Sequence, residues 1–125
     1  MLLDQALDLL LKKDMAGFAD LWADDGRMEF PFAPEGWPKE VNGREAVHDY
    51  LRDYPLMIDV HEVPWRLVHR TADPDVTVAE FDLTGELVAT GRPFRNRYVV
   101  VITERDGRIA EWRDYWNPLA AAELS

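Results

Sequence analysis

The 125-residue chain contains no cysteine, which excludes disulfides and thiolate metal sites and leaves the redox compartment open. Histidine is scarce, and its three copies show no His-Glu-x-x-His or similar spacing, so no metal site is expected. Basic residues are few: 14 Lys and Arg against 24 Asp and Glu give a net charge of −10. With no basic run, nucleic acid and anionic membranes are poor partners. Long apolar runs are missing as well. The leucine-rich start is interrupted by Asp4, Gln5 and Asp8 and has no basic region before it, so it reads as neither signal peptide nor membrane span. There is no glycine-rich phosphate loop and no nucleophile elbow. The expectation is a soluble, cytoplasmic, cofactor-free protein, a single domain over residues 1–125 without repeats or linkers.

What is present is apolar and aromatic. A hydrophobic content of 47% argues against disorder. A chain of this length buries roughly two thirds of its unfolded surface. The most informative stretch is Arg108-Ile-Ala-Glu-Trp-Arg-Asp-Tyr-Trp-Asn-Pro118, a strand signal after an Asp106-Gly107 hairpin turn. Alternation along a strand puts Trp112, Asp114 and Trp116 on one face, and Arg113 and Tyr115 on the other. Two indoles are costly to leave in water, which favours placing that face inside. Asp114 is then desolvated, its pKa rises, and its carboxyl becomes a proton donor or acceptor near neutrality.

Ahead of that stretch, Leu2, Leu3, Ala6, Leu7, Leu10 and Leu11 make one helical stripe. Asp14 caps a second helix whose apolar face is Met15, Phe18, Leu21 and Trp22, stopped by Asp24-Asp25-Gly26. Arg27–Pro31 alternates as a short strand, and Phe32–Pro38 is loop, with Phe32 and Trp37 placed to fold over a cavity mouth or to cross a core edge. Asn42 caps a third helix carrying Ala46, Val47, Tyr50, Leu51 and Tyr54, which Pro55 ends. Ile58–Arg70, Val76–Thr84 and Arg95–Glu104 read as strands, with Gly85 and Glu86 turning the second, and the Trp112 strand completes the meander. Pro118 opens a short Ala-rich tail. The order is α-α-β-α-β-β-β-β, an α+β layout with three N-terminal helices packed on a curved, mostly antiparallel sheet.

Leu21-Trp-Ala-Asp-Asp-Gly26, Asn42-Gly-Arg-Glu-Ala46 and Asp106-Gly-Arg-Ile109 before Arg113-Asp-Tyr-Trp-Asn-Pro118 resemble the SnoaL-like branch of the nuclear-transport-factor-2-like superfamily. Ketosteroid isomerases, polyketide cyclases, scytalone dehydratase and phenazine-biosynthesis A/B-type proteins belong to it. The resemblance implies a cone-shaped α+β barrel and a homodimer packed through outer sheet faces. It does not imply one reaction, because this fold hosts isomerases, dehydratases, cyclases and binders. The three functional positions of ketosteroid isomerases fall here on Phe30, Ala6 and Val99 or Val100, so that mechanism is absent. The phenazine A/B-type proteins match better: their inward acid–base Glu falls on Asp114, and their pocket His and Ser fall on Tyr50 and Tyr54.

Asp114 is thus the candidate acid–base group, or else the carboxylate of a salt bridge. Tyr50 and Tyr54, spaced i, i+4, face one side of a helix and either hydrogen-bond a substrate oxygen or pack their rings. Trp22, Phe30, Phe81, Trp112 and Trp116 are candidates to wall an apolar cavity for a flat ring compound, against the plainer reading of a close-packed core. His61 shares a strand face with His69 and is a candidate pocket imidazole. Glu80 is expected outward, paired with Arg97 or Arg113. Asn96 is read as backbone support, and Arg97 either joins that pairing or points inward to fix an acidic substrate. The function expected is acid–base chemistry (isomerisation, dehydration or cyclisation) on an apolar ring-type metabolite. The alternatives are a non-catalytic small-molecule binder or orphan structural member of the same fold, and a protein-interaction module, the last requiring a large exposed apolar patch.

Overall fold

The computed structural model describes residues 1–121, so the end of the Ala-rich tail lies outside the described residues. Helix α1 (Leu2–Leu11) and helix α2 (Met15–Ala19) open the chain. Asp14 caps α2 as expected, its carboxylate accepting from the Gly17 amide at 2.8 Å. Next come strands β1 (Trp22–Glu29) and β2 (Glu40–Asn42), helix α3 (Arg44–Leu51) and the one-turn helix α4 (Tyr54–Met57). Strands β3 (Ile58–Arg70), β4 (Val76–Leu87), β5 (Pro93–Arg105) and β6 (Arg108–Trp116) form the meander, and α5 (Pro118–Ala121) follows. All six strands join one sheet in the order β2-β1-β6-β5-β4-β3, antiparallel except for the β1–β6 pair. The α+β class and the curved, mostly antiparallel sheet agree with the sequence. No described helix is long and apolar enough to cross a membrane.

Several boundaries differ from the sequence reading, each for a physical reason. Leu21 and Trp22 are not on a helix. Helix α2 ends at Ala19, and the Leu21 carbonyl accepts from the Ile109 amide at 2.8 Å, drawing Trp22 into the sheet beside β6. Asp24-Asp25-Gly26 therefore lies inside β1. These poor strand formers are tolerated because β1 bulges there: Trp22 pairs with Ile109 and Arg27 with Glu111, five steps against two. The bulged carboxylates point outward to Arg44 and Arg105. Gly43, not Asn42, precedes α3, at φ 93°, and Asn42 instead belongs to β2, a strand too short to leave a pattern in the sequence.

Gly85 does not turn β4. The strand runs on to Leu87, and Gly85 sits opposite Val60 where β3 is irregular. A Cβ at Gly85 would stand 2.0 Å from the Asp59 carbonyl oxygen, so glycine is needed for close backbone approach. The Asp106-Gly107 turn is as expected, with both residues at positive φ, 54° and 76°, joining the paired Arg105 and Arg108.

The core lies between the concave face of the sheet and α1–α3. Leu3, Ala6 and Leu7 of α1, Phe18 of α2 and Val47 of α3 are buried against Ala79, Val100, Ile109 and Trp112 of the strands. Trp22 is fully buried, stacked on Trp112 with ring centroids 5.5 Å apart and tilted against Phe18 at 5.2 Å.

Candidate functional site

The inward faces of β4, β5 and β6 register side chains across the sheet in rows. Phe81, Tyr98 and Trp116 form one row, Ala79, Val100 and Asp114 the next, and Ile102 and Trp112 a third. Between these rows and the helices lies a cavity of about 140 Å³. Asp114 lines it with Trp112 on one side and Trp116 on the other, as strand alternation requires. Its cross-strand neighbour Val100 offers no polar group.

Asp114 is 9% exposed. Its Oδ2 accepts from the Trp112 indole Nε1 at 3.3 Å, while Oδ1 has no partner among the described residues. Among the described residues no Arg, Lys or His lines the cavity, so the salt-bridge reading does not hold. Burial penalises the charged form and pushes the carboxyl up to about 7, with the Trp112 hydrogen bond pulling weakly the other way. Protonated and ionised forms therefore coexist near neutral pH, as acid–base work requires.

Tyr50 and Tyr54 both line the cavity, though not from one helix. Pro55 lacks an N–H and cannot continue α3, so the helix breaks after Leu51 and Tyr54 opens α4. Tyr50 packs on Phe30, with centroids 5.2 Å apart. The Tyr54 hydroxyl lies within reach of that of Tyr98, which is also close to the Asn96 side chain. Burial pushes all three phenols up, and the Asp114 charge adds to this, so each remains a neutral hydroxyl able to donate.

Phe30, Phe81, Trp112 and Trp116 are in the cavity wall. Trp22 is not; it lies behind Trp112 in solid core. Two further assignments are corrected. His61 is exposed on β3, its Nε2 3.1 Å from Asp59, because the buried Val60 takes the inward position. Arg97 is on the convex face, its guanidinium gripping Asp82 at 2.7 and 3.0 Å and lying 4.4 Å over the Trp65 ring. Neighbouring Asn96 faces inward, so Arg97 must face outward. Glu80 is outward as expected but pairs with His69 at 2.8 Å, not with an arginine. Trp37 reaches the cavity and packs on Trp116 at 5.8 Å, whereas Phe32 is 56% exposed against Tyr115.

Sequence reasoning missed Tyr98 and gave Asn96 only a backbone role. Asn96 does accept from the Arg97 amide at 3.0 Å, yet it also lines the cavity. The signal is in the sequence: Asn96 and Tyr98 alternate with Arg95 and Arg97, the same period-two pattern that sorts the faces of β6.

The sequence and the fold have known counterparts. The SnoaL-like domain family matches residues 3–112. The chain is 45% identical over 114 residues to the uncharacterised protein YesE of Bacillus subtilis, covering 91% of this chain and 78% of that one. It is 36% identical over 122 residues to an uncharacterised PhzA/B-like protein of Pseudomonas aeruginosa, covering 98% and 86%. Among solved structures, a candidate isomerase from Bacillus subtilis superposes with a TM-score of 0.94 at 42% identity, covering 98% of this chain and 88% of that one. With its α+β fold, its inward acid and a match that spans most of its length, the chain belongs to the SnoaL-like family.

Proposed function

We propose that the cavity hosts cofactor-free acid–base chemistry, an isomerisation, dehydration or cyclisation, on an apolar ring-type metabolite. Asp114 in its ionised form takes a proton from a carbon acid; in its protonated form it returns one to carbon or to a leaving oxygen. Tyr50 and Tyr54 hydrogen-bond the oxygen on which charge develops. A proton shuttle of this kind asks for nothing beyond a positioned carboxyl and neutral donors.

The observation that carries this reading is the buried Asp114 carboxyl in an apolar cavity, with one oxygen unpartnered and no cation in the wall among the described residues. A purely structural carboxylate is normally satisfied by a cation or by several donors. The test is Asp114→Asn with any substrate found by metabolite screening. Turnover is expected to fall by about 10²–10⁴-fold while ligand affinity changes little. Unchanged turnover would leave the non-catalytic binder as the surviving reading.

Homodimerisation through the convex face fits the half-exposed Trp65 and Leu67 on β3. Sedimentation of Leu67→Glu is expected to give a monomer where the parent gives a dimer.

A further inference from the structure

We infer that the cavity selects an uncharged, single-ring ligand carrying a carbonyl or hydroxyl oxygen, and that it turns away anions and fused polycycles. This rests on the reading of the cavity as the ligand site, and it narrows the ligand by size, shape and charge.

Size comes first. The cavity holds about 140 Å³. An apolar cavity of about 150 Å³ accommodates benzene. One ring with a small substituent fills such a space; a three- or four-ring skeleton does not fit within it.

Shape and charge follow from the wall. Ten of the twenty residues lining the cavity are aromatic, which suits the faces and edges of a flat ring. Asp114 is the one charged residue among those twenty. An anion beside its carboxylate meets a like charge in a medium of low dielectric, with no arginine, lysine or histidine to offset it. A cation would need to shed its hydration for one carboxylate that has few supporting donors, and buried ion pairs seldom recover that cost. A neutral oxygen has partners in the Tyr50 and Tyr54 hydroxyls, the Asn96 amide and Asp114 itself. Met57 lines the cavity and is 47% exposed, so the opening lies beside α4 and a ligand enters past an uncharged side chain.

The test titrates the intact protein with benzamide, benzoate and benzamidine, which share one shape and differ in charge, and with phenol, 2-naphthol and estradiol, which differ in size. The readout is the NMR signals of the Trp112 and Trp116 indoles. At about pH 8.5, benzamide is expected to bind about 100-fold more tightly than benzoate, as one unscreened like-charge contact implies. That gap is expected to shrink below about pH 6, where Asp114 carries its proton, and to shrink in Asp114→Asn at the higher pH. Phenol is expected to bind more tightly than 2-naphthol, and estradiol to leave both indoles unmoved. Benzoate or benzamidine binding as tightly as benzamide, or estradiol binding more tightly than phenol, overturns this inference and leaves the cavity standing as a ligand site. If none of the six compounds moves either indole at any pH, the ligand-site reading falls with it.

Discussion

The Trp112 indole donates to Asp114 Oδ2 at 3.3 Å, and Asp114 Oδ1, on the same buried carboxyl, meets no donor among the described residues. One weak donor is too little to hold a desolvated charge. The consequence is an acid poised near neutrality, and it is measurable without knowing any substrate. The Asp114 side-chain carbon, followed by NMR, is expected to titrate near 7; an inflection below about 5 would mean that water or a cation reaches it.

Stability should carry the same signature. The Asp114 carboxyl is raised from 3.8 in the unfolded chain to about 7 in the native state. Between those values the native state keeps a proton that the unfolded chain has released. Its contribution to stability therefore falls as pH rises from about 4 to 7 and then levels off, a loss on the order of 4 kcal/mol if fully expressed. Asp114→Asn cannot ionise and escapes the loss. Calorimetry is expected to show the variant melting above the parent at about pH 8.5 and close to it at about pH 4. A constant offset at both pH values would contradict the burial argument.

Tyr98 and Tyr54 act as a pair. Tyr98→Phe removes the hydroxyl that meets both Tyr54 and Asn96. Each single Phe variant is expected to cost about 1 kcal/mol, and the double variant less than the sum, because the second change removes a bond already broken. Denaturant unfolding of the four proteins tests this. Strict additivity would show that the two hydroxyls do not interact.

Arg97 should matter for folding and not for ligand. Asp82 is 1% exposed, yet it is covered by the Arg95 and Arg97 side chains on the convex face, not by core. Those guanidiniums, Arg97 foremost, hold its carboxyl below the usual range. That stabilisation is present above the ordinary carboxylate pKa and is lost as pH falls through the depressed one. Arg97→Gln is expected to lower stability only modestly, because the guanidinium is largely solvated. The difference from the parent should vanish in strong acid, and ligand affinity should be unchanged. A large loss of affinity would return Arg97 to the site.

Gly85→Ala is the sharpest backbone test. The added methyl meets the Asp59 carbonyl at 2.0 Å, so β3 and β4 must separate locally. A loss of about 2–4 kcal/mol is expected in denaturant titration, beyond the usual range for a small exposed-strand change. A neutral result would mean that the β3 irregularity moves freely.

The β6 face was legible because period-two alternation is strict there: Trp112, Asp114 and Trp116 could only share a side. Asp14 and the Asp106-Gly107 turn were legible because capping and type I′ geometry act through neighbouring residues. What failed depends on partners far along the chain. Nothing near Trp22 announces that Ile109 will capture it into a strand, and nothing near Gly85 announces the crowding by Asp59. His61 and Arg97 were misplaced for a different reason. Residue type made them attractive as pocket groups, whereas the alternation beside them, with Val60 and Asn96 inward, already pointed them outward.

The parallel β1–β6 pair carries a kinetic consequence. Trp22 waits for Ile109, across β2, two helices and most of the meander, before β1 and β6 cover each other's inner edges. Closing such a separation is entropically slow, and until it happens both β1 and β6 present bare amide edges to other molecules. A nascent chain still short of β6 on the ribosome is therefore sticky, and Asp114, riding on that strand, is among the last cavity-lining residues to arrive.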